Sequence, residues 1–263
     1  MNGECKLCLN NKKLRNSHII PEFMYQNIYD KKPRRFNSLT VNLSKLDSAH
    51  KKFEQQGIRE FLLCGECEVL LSKYEKYASE TIYAKNQNSK VFSVKIYRIP
   101  GTTKIVQEFA GLVYKDFKLF LLSILWRIII SKEYKIQIAD EEIKEKLRVA
   151  ILNHDPLNYK DFGCIIQAIK NDTDELVSGF IHVPSPKIIN NFKMIEVLID
   201  GFMYSFFLNS NELPEGQTKF FLNQNGSMNI LYRKLSEDVN LSRNLKTMLE
   251  LLGYSDDNEN YNL

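Results

Sequence analysis

The chain has 263 residues, of which 44% are hydrophobic and 26% charged. That is an ordinary globular composition, long enough for one large domain or two smaller ones with a core that needs no disulfides. The longest apolar run, residues 119–126, meets Arg127 before three isoleucines, short of the ~20 apolar residues that span a bilayer. With no apolar leader ahead of the first cysteines, these features exclude a membrane class and predict a cytoplasmic protein.

The net charge of +4 is unevenly placed, since residues 1–60 carry twelve Lys or Arg against six Asp or Glu. A basic N-terminal segment predicts a polyanionic partner, nucleic acid first. Scattered solvated lysines are the alternative reading.

In chain order, Cys5-Lys6-Leu7-Cys8 comes first, followed by the polar turn Asn10-Asn11-Lys12-Lys13. A Cys-x-x-Cys pair grips one metal from two sides of a tight turn. Next is Ser17-His18-Ile19-Ile20-Pro21. The two β-branched residues after His18 predict a strand, which Pro21 ends before opening a short helix. Lys31-Lys32-Pro33-Arg34-Arg35 lies between Tyr29 and Phe36. Lys31, Lys32, Arg34 and Arg35 are candidate phosphate contacts with an aromatic beside them, or a solvated loop. A short strand over 58–63 then delivers Cys64-Gly65-Glu66-Cys67, and a helix starts at this second pair, with Glu68, Ser72 and Glu75 on a common face. Four cysteines in two such pairs make the usual shell of a structural Zn²⁺, and cytoplasmic cysteines bind metal more often than they form disulfides.

From residue 90 the pattern changes. Strands are predicted over 94–99 and 105–109 around Pro100-Gly101, and an all-round apolar helix over 117–130. Asp140 is the predicted N-cap of a helix carrying Ile143, Leu147 and Ile151. Further strands are predicted over 164–169, 176–183, 194–199, 202–208, 220–223 and 228–232. Hairpin turns are expected at Asp200-Gly201 and Asn225-Gly226. A last helix carries Leu241, Leu245, Met248, Leu249 and Leu252, stopped by Gly253. The expected fold class is therefore α+β. A zinc-binding module over 1–85 precedes a larger α+β domain over 90–253, with antiparallel hairpins and several helices, and a polar tail over 254–263. Cys164 reads as a core residue.

Cys-x-x-Cys, then Ser-His-Ile-Ile-Pro, then Leu-Cys-x-x-Cys resembles the zinc-containing HNH endonucleases, whose module is a treble clef (ββα-metal). The match covers roughly residues 5–80, under a third of the chain. The resemblance implies hydrolysis of a phosphodiester in nucleic acid, with DNA ranked ahead of RNA. It implies His18 as general base, Cys5, Cys8, Cys64 and Cys67 as ligands of a structural Zn²⁺, and Glu68 as ligand of a catalytic Mg²⁺ or Mn²⁺. A homodimer would suit double-strand cutting, and a mobile-element or phage-defence setting is common for such proteins. Two departures stand out. The acidic residue usual before the histidine is Ser17, and the Asn that usually orients the histidine is absent from Ile58-Arg59-Glu60-Phe61. The alternative expectation is a non-catalytic zinc finger that binds nucleic acid or docks on a protein.

Overall fold

The computed structural model describes residues 1–29, 36–40, 50–54, 57–81, 92–102, 104–209, 213–237 and positions 242, 243 and 246. The basic cluster Lys31, Lys32, Arg34 and Arg35, the helix expected after residue 240 and the polar tail lie outside the described residues or nearly so. The architecture is α+β, as the hydrophobic pattern predicts.

The chain begins with β1 (Asn2–Glu4) and β2 (Asn11–His18), an antiparallel hairpin whose connection carries Cys5 and Cys8. A 3-10 turn over Glu22–Tyr25 follows Pro21. Two strands, β3 (Phe36–Thr40) and β4 (His50–Glu54), form a two-stranded antiparallel pair among the described residues. Then β5 (Arg59–Cys64) pairs antiparallel with β2, and α1 (Gly65–Thr81) starts at the residue after Cys64. His18 therefore ends its strand rather than beginning one. Ile19 and Ile20 are completely buried, so their burial in the core, not strand propensity, explains their side chains.

The larger part is a seven-stranded sheet, built from β6 (Phe92–Arg98), β7 (Ile105–Ala110), β8 (Cys164–Lys170), β9 (Ser185–Ile189), β10 (Phe192–Ile199), β11 (Phe202–Phe207) and β12 (Met228–Lys234). The spatial order is β6-β7-β12-β8-β11-β10-β9, antiparallel except where β12 lies parallel to β8. Between β7 and β8 come α2 (Tyr114–Ile130) and α3 (Glu141–Leu152). Asp140 caps α3 as expected, its carboxylate accepting from the Ile143 amide at 2.9 Å. Asp200 and Gly201, with φ of 47° and 83°, form the tight β10–β11 turn, in which both central residues need positive φ.

Two expected strands do not form. Residues 176–183 form no continuous ladder with the sheet, pairing with it at the bridges Lys170–Leu176 and Ile181–Ile199 while Val177 packs on Ile169 and Leu198. Gly179 sits at φ 90° and donates to Asp200 Oδ1 at 2.9 Å, which interrupts the extended backbone between the two bridges. Residues 220–223 make no strand either. Both sides of β12 are already occupied by β7 and β8, so Asn225-Gly226 closes only a local turn, with the Asn223 amide bonded to the Ser227 carbonyl at 2.8 Å.

α2 is the centre of the molecule. It packs against α1 on one side and α3 on another, and Phe117 through Ile129 are all buried. One continuous hydrophobic cluster runs from Cys5, Leu7 and Leu63 through Phe120 and Leu125 to Ile166, Val197 and Tyr204. The cysteine-bearing segment and the large sheet thus share a core. On the sheet the two-residue period holds: Ile195 and Val197 face that core, while Met194 joins Phe207 and Phe221 on the far side.

Candidate metal centre and the histidine beside it

Two backbone features bring the cysteine pairs together. The first is a turn after Cys8, where Leu9 adopts φ 60° and its amide reaches the Cys5 carbonyl at 2.8 Å. The second is a bulge. Arg15 pairs with Leu63 and Asn16 with Phe61, so Leu62 is the extra residue of β5. Ser17 Oγ accepts the Leu63 amide at 3.3 Å across this bulge, and the Leu62 carbonyl accepts the Lys6 amide at 2.9 Å. The bulge therefore seats the Cys5–Cys8 turn against the start of α1. Ser17 is buried in this role, which explains a hydroxyl where the resemblance leads one to expect a carboxylate.

The Sγ atoms of Cys5, Cys8, Cys64 and Cys67 all lie within 4.8 Å of one another, and Cys8 and Cys64 are 3.9 Å apart. Tetrahedral zinc with Zn–S of about 2.3 Å requires S···S of about 3.8 Å. The Cys64 amide points at Cys5 Sγ from 3.3 Å, a hydrogen bond that stabilises a bound thiolate. Burial, and after it the crowding by Cys64 and Cys5, pushes the Cys67 thiol well above its ordinary range. Four thiolates this close need a cation, so the donor set fits zinc. The guanidinium of Arg148, on α3, clamps the Leu7 carbonyl at 2.7 Å and ties the first pair to the larger part.

His18 stands at the end of β2, opposite Arg59, with its side chain 17% exposed. Its backbone is fixed from behind. Arg127, buried on α2, donates to the His18 carbonyl at 3.0 Å and to the Ser123 carbonyl at 3.1 Å, and pairs with Glu75 Oε1 at 2.8 Å. The imidazole meets two charged groups at one nitrogen. Glu22 Oε2 lies 2.5 Å from Nε2, and Arg59 Nε lies 2.8 Å from the same atom. The Tyr29 hydroxyl reaches the two Glu22 oxygens at 3.2 and 3.3 Å. Burial raises the pKa of Tyr29, while the Gly57 amide and the Arg59 charge oppose the rise. Gly57 allows the close approach of this loop, since a Cβ there would lie 2.3 Å from the Tyr25 ring.

Glu68, immediately after Cys67, is half-buried, and its Oε1 is buried with no hydrogen-bond partner among the described residues. Glu75 turns inward to Arg127, whereas Ser72 is exposed and returns its hydroxyl to the Val69 carbonyl at 2.9 Å. The common face expected for these three is thus divided. Glu60, in the stretch lacking Asn, accepts from the Lys132 amide at 3.2 Å and from the Ser131 hydroxyl, so it anchors the end of α2. His154 pairs with Tyr74 at 2.5 Å and His182 with the Val183 carbonyl at 3.0 Å. Cys164 is buried in β8.

Sequence reasoning missed Glu22, Arg59 and Tyr29. The one available signal was the carboxylate four residues after His18, placed by Pro21 at the head of a 3-10 turn. Comparison with family models, curated proteins and solved structures returned no match. Among the described residues no helix is long and apolar enough to cross a membrane.

Proposed function

We propose that the protein is a metal-dependent endonuclease of the HNH type, with a treble-clef finger holding zinc on Cys5, Cys8, Cys64 and Cys67, and His18 as general base. The observation that carries the reading is Glu68. A carboxylate oxygen buried without a hydrogen-bond partner is costly unless a cation is there to meet it. This one adjoins the last cysteine of the finger that holds His18.

Glu68 would hold a Mg²⁺ or Mn²⁺ ion, whose contribution is to polarise the scissile phosphate and stabilise the leaving 3′ oxygen. His18 takes a proton from the attacking water, the water oxygen bonds to phosphorus, and the bond from phosphorus to the 3′ oxygen breaks. Neutral imidazole, with an ordinary pKa of about 6.5, suits that step near neutrality. Arg127 and the β2–β5 pairing keep the histidine backbone in place while this happens. Lys31, Lys32, Arg34 and Arg35 would track the phosphates of DNA, or of RNA.

A second reading has its own support. The Arg59 Nε–H aimed at His18 Nε2 is a lock that a purely structural histidine would also show. On that reading the finger binds nucleic acid or a protein without cutting. Cleavage of plasmid DNA and structured RNA in Mg²⁺, Mn²⁺ or EDTA, beside His18→Ala, separates the two. Metal-dependent cutting that disappears in the variant supports the nuclease. Unaltered binding with no cutting by either protein supports the docking module.

A further inference from the structure

His18 Nε2 has two neighbours that demand opposite things of it. To accept from Arg59 Nε–H at 2.8 Å, Nε2 must be the bare nitrogen, with the ring proton on Nδ1. To donate to Glu22 Oε2 at 2.5 Å, Nε2 must carry the proton, and Nδ1 then holds the lone pair. The two contacts select different tautomers, and only one of them offers Nδ1 as a base.

We infer that Glu22 is a positioning residue for His18, its carboxylate holding the proton on Nε2 so that Nδ1 is the basic nitrogen. This rests on the reading of His18 as general base and supplies the orienting group that the chain lacks in the stretch before the second cysteine pair. Three features favour Glu22 over Arg59. The carboxylate contact is the shorter one, 2.5 Å against 2.8 Å. The Tyr29 hydroxyl steadies both carboxylate oxygens. The terminal nitrogen of Arg59 lies 3.8 Å from Glu22 Oε2, so the guanidinium attracts the carboxylate as well as competing for the ring. When His18 takes up a proton on Nδ1, the resulting imidazolium lies against an anion already in place, which lowers the cost of forming it. Glu22 touches neither substrate nor the reacting atoms. It acts through the imidazole.

The test is a long-range ¹H–¹⁵N correlation spectrum of the zinc-loaded, ¹⁵N-labelled protein at about pH 8, above the ordinary imidazole pKa of about 6.5. The His18 ring is identified by its loss in His18→Gln. The expected wild-type pattern is a proton on Nε2. Glu22→Gln, which keeps an acceptor, should retain that pattern, as should Arg59→Gln. Glu22→Ala should move the proton to Nδ1, because Arg59 then meets a bare Nε2. Glu22 and Arg59 are both partly exposed, so these variants should fold. A wild-type ring protonated on Nδ1, or an unchanged tautomer in Glu22→Ala, overturns the inference. In the cleavage assay Glu22→Ala should lower kcat at least about tenfold, within the ~10²–10⁴-fold that a general base supplies, with KM little changed and much of the loss restored in Glu22→Gln. Failure of His18→Ala to affect cleavage would overturn the proposed function, whereas the ring spectrum decides the Glu22 assignment on its own.

Discussion

Replacing Arg127 by Met should cost about 3–5 kcal/mol, the usual result of removing one partner from a buried ion pair. Arg127 is only 3% exposed, and Met preserves most of its apolar stem. What is lost is polar. Glu75, 23% exposed, is left as a carboxylate beside apolar α2 without its cation, and the His18 and Ser123 carbonyls lose their donor. Set against a typical total stability of about 5–15 kcal/mol, such a loss is large. Replacing Glu75 as well, as Arg127→Met/Glu75→Met, removes the stranded charge and should recover part of the loss, giving a coupling of at least about 1 kcal/mol between the sites. Urea unfolding with zinc in excess, followed by fluorescence of the chain's single tryptophan, Trp126, measures both quantities. Trp126 is buried next to Arg127 in sequence and reports on α2 directly. A single-variant loss under about 1 kcal/mol, or strictly additive losses in the double variant, would refute the assignment of Arg127 as the buried link between His18 and α1.

Removing one ligand with Cys64→Ser should reduce bound metal from about one zinc per chain towards none, with the melting temperature falling and the tetrahedral thiolate absorption of a Co²⁺-loaded sample lost. Retained stoichiometry would contradict the four-cysteine site, and chelation of the wild type should reproduce the variant's loss of stability. Lys118 predicts a pH effect. It is buried, donating to the Asp161 and Phe162 carbonyls at 2.6 and 3.1 Å, and burial lowers its pKa from 10.5 to about 8, against the opposing pull of Cys164 and Asp161. Between those two values the unfolded chain holds the proton that the folded chain has released, so this residue's contribution to stability rises with pH across the window. The stability difference between wild type and Lys118→Met should therefore move in favour of wild type from pH 8 to pH 10.5. A flat difference would show that the ammonium ion is not penalised by its burial.

Much of the metal centre was legible because its chemistry is local. One Cys-x-x-Cys pair needs a turn and the other a helix start, and both are written in short stretches of sequence, although their convergence rests on the β2–β5 pairing. The all-round apolar α2 and the Asp140 cap were equally readable, since each depends on one segment's own pattern. What could not be read was contact between distant segments. Glu22 and Arg59 meet at His18 because β2 and β5 pair with a particular register, and that register depends on a bulge at Leu62 that no local signal announces. Arg127 looked like an interruption in an apolar run, yet its partners, Glu75 and the His18 carbonyl, come from two other elements. The two expected strands that did not form failed for the same reason. Their own residues suit a strand, but both sides of β12 were taken by β7 and β8, leaving residues 220–223 no place beside it, and Gly179 bonds to the Asp200 side chain rather than to a ladder.

The place of β12 in the sheet bears on how the protein is made. The β6–β7 hairpin and the β8–β11 group are each built from neighbouring segments, but nothing joins them until β12 enters between β7 and β8. Among the described strands it is the last to leave the ribosome. Until it arrives, β7 and β8 both present unpaired edges, and the apolar face over α2 is incomplete. Pairing of β12 with β7 joins segments over a hundred residues apart, and its pairing with β8 segments over sixty apart, which slows closure. A nascent or truncated chain ending before Met228 would thus carry two open sheet edges beyond those of β6 and β9, the form most prone to join another chain. Completion of this sheet waits on its last described strand, and the sheet shares a core with the cysteine-bearing segment that seats His18.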